Sequence, residues 1–386
     1  MELLELLNPA TVLSAIGAGL SLVLFGFAVL NTRLIGRLPA TFRPAAARVS
    51  VLVPARNEER CIEACVRSIL MQESADVELI VLNDQSEDST GDILSQLQRE
   101  YPSLQVLTGT PLPKGWVGKS WACHNLAQHA TGDFLVFTDA DTVHSHNLIA
   151  RVVAFMQEHN LQMLSLIPYQ RMTSLAEHII VPMIHVIFYA TWLNIHLIRK
   201  WTTTPAAAIG QFIAFTRQGY NAIGGHTSVR ASLVEDVFLA KAAQQQKLRY
   251  GLIDGTDAIE CHMYTSITEA AQGFSKNLFP AMRHNIFTMM FFVLQQLVVY
   301  VLPIPLLIIA LSCSMMPAAA LSASAIMFTM LIRYTIASTF RMPVWHAFIQ
   351  PITAVLCIAI GVNSVRWAYS SAGARWKGRS YTGRNS

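Results

Sequence analysis

The stretch Phe134-Leu135-Val136-Phe137-Thr138-Asp139-Ala140-Asp141 changes character at a single residue: an uncharged apolar run gives way to two carboxylates one position apart. A short apolar run rich in aromatic and β-branched residues, closed by polar residues, reads as a buried strand. The same pattern occurs twice upstream. Residues 49–53 run into Pro54-Ala55-Arg56-Asn57-Glu58, and residues 78–82 run into Asn83-Asp84 and then Gln85-Ser86-Glu87-Asp88-Ser89-Thr90. Amphipathic segments of helical length follow each strand, over residues 61–71, 93–101 and 147–159. Buried strands alternating with helices predict βαβ units and a mainly parallel sheet covered on both faces. Taken singly, each polar cluster is a capped loop, because Asp, Asn and Ser are the usual cap residues. Three clusters in phase at successive strand ends point to a ligand site, since open α/β sheets bind ligands beyond the carboxyl ends of their strands.

Asp139 and Asp141 leave a strand end on alternate positions, where both can reach one hard cation. Mg²⁺ or Mn²⁺ fits such a pair, taking oxygen ligands while bridging phosphates. Further on, residues 210–215 read as a short strand, Gly224-Gly225-His226 as a tight turn able to approach a ligand, and Glu235-Asp236 as the start of a helix over residues 237–246. Acidic residues at a helix N-terminus are also favoured by the macrodipole alone, so this last pair has a purely structural reading as well. His144 and His146, just past Asp141, read as a solvated helix start.

Composition sets the surroundings. Apolar residues make up 53% and charged residues 13%, against about 25% charged in ordinary globular domains. With mean hydropathy at +0.39, this excludes disorder, and a net charge of +4 is too small to argue for a nucleic-acid partner. No Lys, Arg, Asp or Glu occurs between Glu5 and Arg33, between Arg283 and Arg333, or between Arg341 and Arg366. A span needs about 20 apolar residues. The first run holds one, over residues 11–30. The second holds up to two, kinked or divided at Pro303 and Pro305 with Pro317 in the turn, and the third holds one over residues 348–367. Residues 179–198, interrupted by Pro182, His185, Asn194 and His196, read as an interfacial or buried helix rather than a span. Arg33, Arg37, Arg43 and Arg48 follow the first run while Glu2 and Glu5 precede it, which places the central region in the cytoplasm of an inner-membrane, multi-pass protein. Arg366, Arg375, Lys377, Arg379 and Arg384 ask for the same side. Three C-terminal crossings would deny it to them, so either one apolar stretch does not cross or the tail breaks the rule. The six cysteines are scattered, and Cys61 and Cys65 lack the second pair a zinc site needs, so they read as reduced, buried thiols.

The ordered set Val-Pro-Ala-Arg-Asn-Glu (53–58), Asn-Asp (83–84), Asp-Ala-Asp (139–141), Gly-Gly-His (224–226) and Glu-Asp (235–236) resembles the family 2 inverting glycosyltransferases. Gly115-Trp116-Val117-Gly118-Lys119-Ser120-Trp121-Ala122-Cys123, Gly273-Phe274-Ser275-Lys276-Asn277 and Trp376-Lys377-Gly378-Arg379-Ser380-Tyr381 resemble its membrane-bound branch acting on carotenoids and other lipids. The resemblance implies an α/β nucleotide-diphospho-sugar domain of the GT-A type at residues 49–276. Around it would lie an N-terminal anchor (1–32), a basic linker (33–48), a membrane domain (277–368) and a basic tail (369–386), with the possible interfacial helix at 179–200. It further implies that Pro54, Asn57 and Glu58 line the nucleoside pocket, with Asp84 on the base and Asp139 near ribose and phosphates. Asp141, with Asp139, would hold Mg²⁺ or Mn²⁺ on the diphosphate, Lys119 would help neutralise the leaving group, and Asp236 would be the base. Glu235, Gly225, His226 and Lys276 are candidate acceptor or phosphate contacts. The implied reaction moves one sugar from a donor such as UDP-glucose to a hydroxyl or carboxyl of a lipid such as a carotenoid. A polyprenyl-phosphate sugar transferase and a processive polysaccharide synthase are the alternatives. Against the second, Gln246-Lys247-Leu248-Arg249-Tyr250 comes too soon after Asp236 to serve as the synthase string it imitates, and Lys276 stands where that string would fall.

Overall fold

Along each central strand, alternate side chains enter different cores. Val49, Val51 and Val53 join one buried cluster with Leu79, Val81, Phe134 and Val136. Leu52 joins a second with Ile80, Leu82, Leu135 and Phe137. Period-two alternation with both faces apolar is what a sheet between two helical layers demands, and each fully buried Val, Leu or Ile contributes about 1.5–3 kcal/mol. The structure, a computed structural model, describes residues 8–43, 46–191, 207–264, 266–370 and 373–381. It divides into an α/β unit (Ile35–Arg171, Ile195–Met263 and Arg375–Ser386) and a helical unit (Met1–Leu34, Met172–Asn194 and Tyr264–Ala374).

In the α/β unit the strands are β1 (Arg48–Ala55), β2 (Asp76–Asn83), β3 (Gln105–Thr108), β4 (Phe134–Thr138), β5 (Thr142–His144), β6 (Met163–Ile167), β7 (Tyr169–Gln170), β8 (Phe212–Thr216), β9 (Tyr250–Asp254) and β10 (Ile259–Cys261). The main sheet runs β3-β2-β1-β4-β8-β6-β9. It is mainly parallel, as expected, with β8 antiparallel to both its neighbours. The chain moves outward from β1 to β2 and β3, then returns to place β4 on the other side of β1. The β1/β4 gap is therefore the switch point at which such sheets bind ligands. A second sheet, β5-β10-β7, stands beside it. Beyond the helical unit, β11 (Ala374–Trp376) and β12 (Arg379–Tyr381) form a two-stranded hairpin.

Among its described residues the helical unit contains three helices long and apolar enough to cross a membrane: Pro9–Leu34, Met316–Thr339 and Val344–Tyr369. A further pair, Ile286–Val301 and Pro303–Ser312, is bent by 44° at the expected proline. Pro317 lies in the first turn of Met316–Thr339 rather than in the preceding turn, a position where its missing N–H costs nothing. The first helix packs on Met316–Thr339 through Phe25 and Phe328 (ring centroids 6.0 Å) and a Ser14–Ser322 hydrogen bond of 2.9 Å.

The two units divide the chain differently from the expected domains. Ile267–Ala281 belongs to the helical unit because it packs on Gln350–Tyr369, where the Phe279 N–H donates to Ser364 Oγ (2.9 Å) and Asn363 Nδ2 to Ser275 Oγ (3.1 Å). The segment expected as one helix over 179–200 begins as two short ones, Leu175–Ile180 and Met183–Ala190, divided at Pro182. It joins the helical unit through Asn31 Nδ2 on the Tyr189 carbonyl and Thr353 Oγ1 on the Ile179 carbonyl, both 2.8 Å. Residues 192–200 of that expectation, with Asn194 and His196, lie outside the described residues. The tail expected as a separate segment falls within the α/β unit.

Candidate active site

Parallel pairing in the order β2-β1-β4 sets three polar strand ends side by side. At the end of β1, Asn57 takes a left-handed φ of 52°, which Asn tolerates better than most residues. Its backbone N–H donates to Ser86 Oγ (3.0 Å) and its Oδ1 accepts from the Glu87 N–H (2.8 Å), so Asn57 ties the β1 and β2 loops together. The Glu58 N–H donates to Thr90 Oγ1 (2.8 Å). After β2, the Asp84 N–H donates to the Ala55 carbonyl (2.8 Å), leaving a buried carboxylate.

A cavity at the β1/β4 switch point is lined by Pro54, Lys119, Phe137, Asp139, His226 and Glu235, among others. Lys119, in the first turn of Gly118–His129, reaches Asp139 Oδ1 (2.6 Å) and Glu235 Oε1 (2.9 Å). Burial opposes its charge, but the two carboxylates outweigh burial and hold the ammonium well above its ordinary pKa. Asp236 heads the helix Glu235–Gln245. It accepts from the Gly210 N–H (2.9 Å) and from its neighbour Val237 N–H (2.8 Å). Because β8 runs antiparallel to β4, Gly210 and Gln211 enter from the Asp139 end, and the Asp139 N–H donates to the Gln211 carbonyl (3.3 Å). A Cβ on Gly210 would lie 3.2 Å from both Lys119 Nζ and Asp236 Oδ2. Burial, with Glu235 adding, raises the Asp236 carboxyl to about 6, while Lys119 opposes.

Asp141 leaves β4 toward the second sheet, where its carbonyl accepts from the His262 N–H (3.0 Å) after β10. Burial, then Asp139 and Glu58, push its carboxyl up to about 7. Its buried Oδ1 has no hydrogen-bond partner. An orphaned carboxylate oxygen beside a second carboxylate fits a hard divalent ion. Among the described residues no three His, Cys, Asp or Glu side chains converge on one point, so such an ion would draw its other ligands from phosphate and water.

Gly224 and Gly225 both have positive φ (75° and 53°), and a Cβ on Gly225 would strike Tyr220 at 2.6 Å. That tight turn seats His226, whose Nδ1 pairs with Tyr220 Oη at 2.8 Å while its ring meets Phe137 edge-on. Burial lowers its pKa to about 3, so the imidazole is neutral. His144 corrects its expected solvated place. It is 3% exposed, held by Ser68 Oγ and Thr138 Oγ1 (both 3.1 Å), because β5 pairs with the distant β10 and turns it inward. Lys276 lies on Ile267–Ala281 in the helical unit, apart in the fold's division from the other candidates.

Sequence reasoning left Arg56, Lys377 and Arg379 without a role at the site. Arg56 Nη1 donates to the Asp84 and Gln85 carbonyls (2.7 and 2.8 Å), and its Nε to the Lys377 carbonyl (2.9 Å). Lys377 pairs with Glu58, and Arg379 makes a two-pronged pair with Asp84 at 2.5 and 2.9 Å. The signals in the sequence were the cluster of basic residues in the tail and the resemblance of residues 376–381 to the membrane-bound branch.

Residues 50–224 match the family described as Glycosyl transferase family 2. The 4,4'-diaponeurosporenoate glycosyltransferase of Staphylococcus haemolyticus is 27% identical over 233 residues, covering 60% of this chain and 60% of that protein. The Staphylococcus aureus (strain USA300) protein of the same name is 27% identical over 235 residues, with the same shares covered. The matched region thus spans about 60% of the length of these curated relatives. A mannosyltransferase from Pyrobaculum calidifontis, solved with GDP-Man and Mn²⁺, shares the fold: TM-score 0.56 at 20% identity, over 93% of this chain and 100% of that one. The fold is the GT-A type that the sequence resemblance implied.

Proposed function

We propose, from the match of residues 50–224 to glycosyl transferase family 2, that the protein is a membrane-bound inverting glycosyltransferase. It moves a single sugar from a nucleotide-diphosphate donor to a hydroxyl or carboxyl of a lipid acceptor. The observation that carries this reading is the grouping of Lys119, Asp139, Glu235 and Asp236 around Gly210. It sets a cation that lines the switch-point cavity and a carboxylate of raised pKa on the same glycine of its wall.

In this reading Pro54, Asn57 and Glu58 shape the nucleoside pocket, and Asp84 accepts from the base. Asp141 and Asp139 would hold a divalent ion, Mg²⁺ or Mn²⁺, which would supply positive charge against the departing diphosphate. Lys119 adds a fixed positive charge at the same place, already oriented by two carboxylates, so little reorganisation accompanies bond breaking. Asp236 takes the acceptor hydroxyl proton as the oxygen attacks the anomeric carbon from the face opposite the leaving group. A pKa near 6 leaves it mostly ionised at neutral pH yet basic enough to accept a proton. His226, neutral and braced by Tyr220, walls the cavity without competing for that proton.

The acceptor follows from two supports: the apolar helices of the helical unit and the carotenoid carboxylate in the relatives' name. UDP-glucose is the donor to test first. Membranes with and without the protein, fed labelled UDP-glucose or GDP-mannose, should differ by one labelled lipid on thin-layer chromatography. A base-stable water-soluble polymer as the sole new product would refute the reading.

A further inference from the structure

We propose that the β11–β12 hairpin is a wall of the donor pocket, with Lys377 holding the donor diphosphate and Arg379 positioning Asp84. This rests on the donor site proposed above and adds residues that lie far from it in sequence.

Charge is the first argument. Glu58, Asp84, Asp139, Asp141, Glu235 and Asp236 crowd the strand ends, and Lys119 is already engaged by Asp139 and Glu235. A diphosphate brings further negative charge to this acidic rim. The hairpin delivers two cations to it: Lys377 on Glu58 and Arg379 across both oxygens of Asp84.

Geometry is the second. Lys377 and Gly378 both have positive φ (44° and 77°), as a two-residue type I′ hairpin turn requires. A lysine pays more than Gly or Asn for that conformation, yet it occupies the position that aims an ammonium at Glu58. The turn is pinned by Arg56 Nε on the Lys377 carbonyl. Across the pocket Gly118 makes room for the guanidinium, since a Cβ there would lie 2.0 Å from Arg379 Nη1. Such fixed bidentate pairs orient a carboxylate as well as neutralise it.

The test uses the full chain in detergent with Mn²⁺ and the probes UDP, GDP, uridine and guanosine in equilibrium binding. K377A should weaken the diphosphate that the wild type binds by at least about tenfold, as loss of a charge-assisted contact would, and leave the matching nucleoside unchanged. K377R should restore most of the loss. R379A should weaken nucleoside and diphosphate alike, because Asp84 loses its orientation. Wild-type binding with K377A equal or tighter would overturn the inference and make the hairpin a plug, while leaving the proposed function standing. A wild type that binds none of the probes would overturn both.

Discussion

Two buried arginines, one in each unit, are treated in opposite ways. In the α/β unit, Arg151 places Nη2 on the Leu38 carbonyl (2.9 Å) and Asp257 Oδ2 (2.8 Å), and Nε on the Pro39 carbonyl (2.8 Å). In the helical unit, Arg333 is 1% exposed and none of its three guanidinium nitrogens has a hydrogen-bond partner among the described residues. His185, in the same unit, is likewise buried with neither ring nitrogen bonded. The α/β unit thus satisfies Arg151 internally, as it does Lys119 between two carboxylates, and leaves an orphaned oxygen at Asp141, where a divalent ion would fit. Removing a partnered charge strands its partner, whereas removing an unpartnered one strands nothing.

The largest effect should come where partnered charge is put to chemical use. Asp236→Asn should lower kcat by about 10²–10⁴-fold with a hydroxyl acceptor and little change in donor KM. With an acceptor that arrives as a carboxylate there is no proton to remove, so the loss should shrink. Comparing alcohol and acid acceptors thus reads the role of Asp236 directly. The wild-type rate should rise with pH through about 6, where Asp236 ionises, and the Asn variant should lack that limb. Asp141→Asn should abolish transfer and the response to added Mn²⁺ while the purified protein keeps its unfolding temperature. Full activity of the wild type in excess EDTA would refute the metal role.

Next comes Arg151→Met, which should destabilise the protein by about 3 kcal/mol because it strands Asp257 and two carbonyls, read as a fall in the unfolding midpoint in detergent. The smallest effect belongs to Arg333→Met, expected within about 1 kcal/mol of wild type or slightly stabilising, since no described residue loses a hydrogen-bond partner. Equal losses at Arg151 and Arg333 would break the comparison and show that Arg333 is compensated in the membrane.

What the sequence revealed and what it hid divides along sequence distance. The strands at 49–53, 78–82 and 134–137 were legible because burial on both faces leaves short uninterrupted apolar runs, and the polar residues closing them mark the site. The start of the helix at Glu235 was legible for the same local reason. His144 was misplaced because the strand that buries it is three residues long and pairs with β10, far along the chain. The excursion of Met172–Asn194 into the helical unit depends on packing against Asn31 and Thr353, which no local periodicity encodes. The partners of Glu58 and Asp84 were hidden too, because they lie beyond the whole helical unit.

Lys377 meets Glu58 across 319 positions and Arg379 meets Asp84 across 295. Residues in contact share one side of a bilayer, so the segments between residues 84 and 377 must cross it an even number of times. Among the described residues, the bent pair Ile286–Val301 and Pro303–Ser312, counted as one span, makes three candidates with Met316–Thr339 and Val344–Tyr369, an odd number that these contacts would not allow if all three crossed and no other segment did. In a chain threaded through a bilayer the contact would also act as a clock in biosynthesis. The ribosome finishes the β-sheet long before it makes the hairpin, and the two pairs can close only after every intervening helix has been threaded with the correct parity. A protein inserted with one crossing too many or too few would carry a folded sheet whose Glu58 and Asp84 lack these two cations, separated from them by the membrane itself.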